Sequence, residues 1–310
     1  MTAEVLLETT GLARAFGPHA AVRGIDLRVG RGECLALLGL NGAGKTTTLE
    51  MLCGVLAPGA GTIRVAGHDL LAEPRAARQC LGYLPETPPL QPDARVIDYL
   101  HWAAVVRRIP RSRRRHLVER TLERCCLGGV RRRVIRNLSR GYQQRLGIAQ
   151  AIVHQPPLVV LDEPTVGLDP RQVQGVRALI GDLRRDHGVI LSTHVLADVE
   201  AACDRVAILH DGRIIHEQAV APAADGDRRY RLRFDRPPRP DAVQALDGVL
   251  AAEAEGEQSL RVVVRDEAAL DGIVAQAAHG GWRLRELARE VRTLEQVFLA
   301  CTAPRPEEAA

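Results

Sequence analysis

Between Leu37 and Thr47 the chain reads Leu-Leu-Gly-Leu-Asn-Gly-Ala-Gly-Lys-Thr-Thr. An apolar strand runs into G-x-x-x-x-G-K-T, and an amphipathic run beginning at Thr48 follows. That arrangement is a phosphate-binding loop between a strand and a helix, and it commits this part of the chain to an α/β fold. Gly39, Gly42 and Gly44 let the backbone come close to an anion, so that successive N–H groups point inward. The helix that follows adds its positive N-terminal end. Lys45 is expected to reach the β- and γ-phosphates of a nucleotide, and the Thr46 hydroxyl to help hold Mg²⁺. Lys45 is also the sole lysine among 42 basic residues. The arginine bias stops at the one site that needs a compact ammonium on a flexible stem.

Aromatic residues make up only 3% of the chain, which argues against single-strand nucleic-acid binding through base stacking. The formal net charge of +4 is too mild to point to a polyanionic partner. The seven cysteines are irregularly spaced, with no C-x-x-C pair, and read as reduced thiols in a cytosolic protein. No apolar run approaches the roughly 18 residues of a membrane span. Met1 to Gly11 alternates like a strand and lacks a basic leader region, so the chain is expected neither to cross a membrane nor to be exported by itself.

Taken in order, residues from Val5 to about Gly67 read as short strands with glycine-rich turns. Phe16 either stacks on a base or belongs to the core. Leu81 to Glu86 is a short strand ended by proline, and helical spacing runs from Val96 to about Leu127. Two arginine runs, at 107–115 and 131–133, either form a solvated helix face or contact nucleic acid or lipid head groups. The stretch Asn137-Leu-Ser-Arg-Gly-Tyr142 opens a helix read over Leu146–Val153, and a Ser and a Gly at a helix start form a second anion site. Pro157 to Pro164 is a second buried strand carrying Asp162 and Glu163 at its end. Strand alternation separates their directions, so that Asp162 can serve the metal while Glu163 accepts a proton from an attacking water. A third apolar strand, Gly188 to Thr193, ends at His194 on the ligand edge of the sheet. Past residue 227 the pattern reads βαββαβα, which fits a ferredoxin-like α/β sandwich.

With these residues in place, the chain resembles the nucleotide-binding subunits of ATP-binding cassette (ABC) transporters. Gly39–Thr46 looks like the family's Walker A motif, Leu138–Tyr142 like its LSGGQ signature, and Leu158–Glu163 like Walker B with the catalytic glutamate. Gly167-Leu168-Asp169 looks like the D-loop and His194 like the switch histidine. The run from Leu138 to Asp169 most resembles gliding-motility and drug-export cassettes.

The resemblance implies an ATPase of the P-loop ABC type, a mixed sheet with a β-subdomain and a helical subdomain, spanning residues 1–220. A linker at 221–227, a small α+β ferredoxin-like domain at 228–303 and a tail at 304–310 follow. It implies nucleotide contacts from Phe16, Gly39, Asn41, Gly42, Ala43, Gly44, Lys45, Thr46 and Thr47, and Mg²⁺ held by Thr46 and Asp162. Catalysis would fall to Glu163 and His194, and contact with a nucleotide on another subunit to Ser139, Gly141 and Tyr142, with Asp169 in the D-loop. Four positions depart from the family pattern. Glu86 stands at the Q-loop glutamine, Arg140 and Tyr142 replace Gly and Gln of the signature, and Phe16 stands where Tyr usually covers the adenine.

Family members sandwich two ATPs between head-to-tail cassettes, so this chain is expected to form a homodimer or pair with a sibling cassette. It would dock through the region around Glu86 and the following helices on a separate transmembrane permease, at the inner face of the cytoplasmic membrane, with no direct nucleic-acid contact. The alternative is a soluble cassette ATPase acting on nucleic acid or ribosomes. Such proteins usually carry two cassettes or long coiled-coil insertions, and neither occurs here. A non-hydrolysing regulatory cassette is a third class, against which Lys45, Asp162 and Glu163 argue.

Overall fold

The computed structural model describes residues 4–220, 228–289 and 294–302. The expected linker, the tail and the Thr293 start of the last helix lie outside the described residues. By their internal contacts residues 4–220 and 298–302 group into one compact unit, and residues 228–289 and 294–297 into a second.

The first unit opens with two long antiparallel strands, β1 (Val5–Phe16) and β2 (His19–Gly30), then β3 (Cys34–Leu38) and helix α1 (Lys45–Leu52). Next come β4 (Ala60–Val65), the two-residue β5 (His68–Asp69), α2 (Pro74–Gln79) and β6 (Leu81–Leu84). Helices α3 (Val96–Val106), α4 (Arg111–Arg124) and α5 (Arg140–Ile152) pack on one another. The unit then alternates β7 (Leu158–Asp162), α6 (Pro170–Leu183), β8 (Gly188–Thr193), α7 (Leu196–Ala202), β9 (Arg205–His210) and β10 (Arg213–Ala219).

Two sheets result. One is antiparallel, in the order β2-β1-β4-β5; the other runs β10-β9-β3-β8-β7-β6 and is parallel except at its β10 edge. Every residue of β3, β7 and β8 is buried, as expected of strands covered on both faces. In register, Leu38 pairs with Thr193 and Asp162 with Ser192. Strand β8 therefore lies between the other two, and the C-terminal ends of all three meet at one edge. That edge is where open α/β sheets hold their ligands.

Two expectations shift. The helical stretch read continuously over 96–127 breaks into α3 and α4 at Arg108, which takes φ +57°, and at Pro110, which caps α4. A proline has no N–H to continue a helix, so the break follows from the sequence. The solvated-face reading of the 107–115 arginine run holds for Arg108, Arg111, Arg113 and Arg115, which are exposed, and shifts only at Arg107, which donates from Nη1 to the carbonyls of Arg78 and Leu81 at 3.3 and 3.1 Å.

Near that contact, burial and the Arg107 guanidinium push the His154 imidazole down to about 3, while its Nε2–H donates to Leu81 O at 3.1 Å. The folded pKa lies below the ordinary value of 6.5, so the unfolded chain binds the extra proton. This contribution is complete above about pH 6.5 and is lost as the pH falls toward 3. The urea midpoint is expected to drop between pH 7 and 4, and His154→Gln to flatten part of that slope. An unchanged slope in equilibrium unfolding across that range would contradict the assignment.

The second unit contains β11 (Arg228–Phe234), α8 (Pro240–Gln244), β12 (Val249–Ala254), β13 (Ser259–Val264), α9 (Glu267–Gly280) and β14 (Leu284–Arg289); α10 (Leu294–Thr302) follows them in the chain, its first four residues grouping with this unit. The sheet order is β12-β13-β11-β14, antiparallel throughout, which is the ferredoxin-like order that the pattern predicts. Its core is built on Leu232, Phe234, Val262 and Ile273. The last strand begins two residues later than its expected start at Trp282, because Gly281 and Arg283 both take positive φ and turn the chain first.

Candidate functional site

The phosphate loop is shaped by what presses on it. A Cβ at Gly39 would stand 2.5 Å from Leu209 O, and one at Gly44 would stand 2.4 Å from Ala21 O. Gly44 also takes φ +101° as the N-cap of α1. Glycine is required at both places because neighbouring backbone fills the side-chain space. The loop leaves a cleft of about 440 Å³ lined by Phe16, Asn41, Gly42, Gly44, Lys45, Thr46, Thr47, Glu86, Glu163 and His194. His19, Ala21 and Val166 complete its walls. Gly39 and Ala43 lie beneath, buried.

Lys45 is 6% exposed. Its Nζ donates to Gly39 O at 2.8 Å and Leu40 O at 3.3 Å, and stands 3.4 Å from Glu163 Oε1. The carboxylate of Glu163 in turn lies 3.0 Å from His194 Nδ1. The expected direction of Glu163 holds, but its cause differs. β7 ends at Asp162, and Glu163 takes φ +46°, a left-handed conformation that costs a non-glycine residue about 1–2 kcal/mol. A break in the strand, not strand alternation, turns Glu163 toward Lys45. Ser192 holds that turn: its Oγ and its carbonyl both accept from Glu163 N, at 3.0 and 3.2 Å.

Ser192 Oγ also donates to Asp162 Oδ1. The other oxygen of Asp162 is buried and has no hydrogen-bond partner. Burial pushes the Asp162 carboxyl above its ordinary range; the hydroxyls of Ser192 and Thr46 oppose this, and the charges of Glu163 and Glu86 add to it. A buried, unpartnered carboxylate oxygen with a threonine hydroxyl beside it is a donor set that fits a hard divalent cation. Thr46 and Asp162 therefore suit Mg²⁺.

Phe16 ends β1 with 48% of its surface exposed and faces the cleft. The Arg14 guanidinium lies 5.2 Å from its ring centre. Of the two open readings of Phe16, the exposed wall residue replaces the core residue.

Ser139, Gly141 and Tyr142 do not line this cleft. The helix expected to begin near Leu146 begins at Arg140, with Ser139 as its N-cap. Ser139 to Tyr142 thus form the N-cap and first turn of the helix, where backbone N–H groups have no intrahelical partner. The Gln172 side chain covers Gly141, within 2.6 Å of where a Cβ would stand. Asp169 caps α6 by accepting from Gln172 N at 2.9 Å. Sequence reading passed over Ser192, which is a small residue inside a buried strand, and His19, which follows the Gly17-Pro18 turn on the cleft wall. Nothing in their local pattern marks them; the sheet order does.

A phosphate loop, a Mg²⁺-suited aspartate and a glutamate–histidine pair on one sheet edge define a P-loop nucleotide hydrolase. A profile of the family described as "ABC transporter" matches residues 22–166. The chain is 37% identical to the uncharacterized ABC transporter ATP-binding protein YxlF of Bacillus subtilis, over 67% of this chain and 69% of that protein. It is 36% identical to the Nod factor export ATP-binding protein I of Paraburkholderia xenovorans, over 70% of this chain and 71% of that one. A solved ATP-binding subunit of an ABC transporter matches with a TM-score of 0.63 at 32% identity, over 69% of this chain and 90% of that chain. The chain belongs to the ABC transporter ATP-binding proteins and is an ATP-hydrolysing P-loop NTPase. Among the described residues, no helix is long and apolar enough to cross a membrane.

Proposed function

We propose that this chain is the ATPase subunit of an exporter of the gliding-motility and drug-export type, working on a separate transmembrane permease at the inner face of the cytoplasmic membrane. The observation that carries the hydrolytic part is the Lys45–Glu163–His194 cluster, closed within 3.4 Å at the phosphate loop. In this reading Phe16 stacks on the base, and the loop N–H groups from Asn41 to Thr47 cradle the phosphates. Lys45 leaves Glu163 for the γ-phosphate, and Glu163 then polarises the attacking water while His194 steadies the γ-phosphate. Thr46 and Asp162 would hold Mg²⁺, which neutralises charge on the phosphate oxygens.

The signature residues Ser139, Gly141 and Tyr142 lie outside the cleft of their own chain. Their free helix terminus supports a homodimer, or a pair with a sibling cassette, in which each signature faces the other subunit's nucleotide. Export is supported by the likeness to the Nod factor export protein. For the permease contact, Trp102, Val105 and Val106 on α3 are each about half exposed. Trp102 and Val106 line a groove rimmed by Arg75, Arg78 and Arg113. An apolar strip of this kind suits a docked helix from a membrane subunit.

The test is a pull-down of the Glu163→Gln protein with Mg-ATP from detergent-solubilised membranes of its host. One multi-span membrane protein recovered in stoichiometric amount is the expected result, and it identifies the route of the cargo. Recovery of ribosomes or nucleic acid without a membrane protein would overturn the reading in favour of a soluble cassette.

A further inference from the structure

The residues that carry the reaction sit on two short segments beyond strand ends, 163–168 after β7 and 194–195 after β8. Loops of this kind need something to fix them, since loop backbone is otherwise the mobile part of a fold. One side chain reaches both. Asp198, on the first turn of α7, is 2% exposed. Its Oδ2 accepts from Thr165 Oγ1 at 2.5 Å and from Thr193 Oγ1 at 3.3 Å. Its Oδ1 accepts from Arg177 Nε at 2.7 Å and pairs with Arg177 Nη2 at 2.5 Å. Thr165 lies two residues after Glu163, and Thr193 immediately precedes His194. Thr193 Oγ1 also accepts from Val195 N at 3.0 Å, so the same hydroxyl ties down both sides of His194.

We infer that Asp198 is a positioning residue for ATP hydrolysis, clamping through Thr165 and Thr193 the two segments that hold Glu163 against His194. Both carboxylate oxygens are engaged, and Thr165 and Thr193 are themselves buried, so no slack remains in the connection. Arg177 balances the buried charge and anchors the clamp to α6. An alternative use of the same groups would be to pin α7 to α6 for stability alone. The Asp198–Arg177 pair suffices for that, and it gives no reason for both hydroxyls to converge on Oδ2.

The inference rests on the proposed roles of Glu163 and His194, and the two can be tested separately. The full-length protein is assayed for steady-state ATP turnover and for thermal midpoint. Thr165→Val with Thr193→Val keeps shape and leaves the Asp198–Arg177 pair intact. This double variant is expected to lose about tenfold or more in kcat, in the range usual for residues that orient reacting groups. KM for ATP should stay near wild type, the midpoint should fall because the buried Asp198 Oδ2 loses both donors but remain well above the assay temperature, and Thr165→Ser should keep activity. Asp198→Asn should lower kcat likewise, with a larger fall in midpoint because it unbalances Arg177, and on a His194→Ala background it should add little further loss in kcat, because the group it positions is gone. Turnover within twofold of wild type for the Val pair, or losses that add fully to His194→Ala and track the midpoint, would overturn the clamp. If instead His194→Ala and Glu163→Gln are themselves silent, the proposed catalytic roles fail and the clamp fails with them.

Discussion

Glu163→Gln is expected to lower ATP turnover by about 10²–10⁴-fold while leaving nucleotide binding intact, as judged by single-turnover hydrolysis beside equilibrium binding. The amide keeps the size and shape of the carboxylate. The left-handed turn at Glu163 and its backbone bonds to Ser192 therefore remain. What disappears is the carboxylate that meets both Lys45 and His194 at this edge. Binding is expected to hold or tighten, for an electrostatic reason. Glu163 is 7% exposed and stands 3.4 Å from the ammonium of Lys45, so it competes with an incoming phosphate for that charge. Removing the negative charge frees Lys45 for the nucleotide. Turnover within about threefold of wild type would mean that the proton goes elsewhere, and Glu163 would lose its role.

The contrast between what the sequence made legible and what it hid follows a physical line. The phosphate loop, the Asp162–Glu163 pair and His194 are each adjacent to a buried apolar strand, and a strand's end is visible as the point where the apolar run stops. All three positions were therefore readable, and so was the ferredoxin-like order of the small domain, because it rests on element succession alone. Strand order in the large sheet was not. That β8 lies between β3 and β7 depends on non-local pairing, and with it go the contacts of Ser192 with Asp162 and Glu163 and of Asp198 with Thr165. The left-handed turn at Glu163 was also hidden. Nothing in Asp-Glu-Pro marks positive φ, and the conformation exists because Ser192 accepts from the amide. The early start of α5 was missed for a different reason: Gly141 and the glutamines gave the first turn no apolar period, although Ser139 is a favourable cap.

Lys45→Arg is expected to weaken ATP binding on the order of 10²-fold or more, although it keeps the charge and although arginine serves at every other basic position of the chain. The reason is geometric. Lys45 Nζ is a near-point donor seated against two loop carbonyls, Gly39 O and Leu40 O, with its remaining direction toward Glu163 and the cleft. A guanidinium is planar, longer and carries five donors in a fixed fork. With 6% of the residue exposed and the loop backbone pressed by Ala21 O and Leu209 O, there is no room to turn that plane. Arginine would have to leave the loop carbonyls unpaired or push Gly39 and Leu40 outward, and either spoils the phosphate cradle. The reciprocal change at an exposed arginine, Arg111→Lys, should be silent. Titration calorimetry with ATP on the two variants compares them directly. If Lys45→Arg binds ATP as wild type does, the loop tolerates a fork, and the lone lysine is an accident of composition.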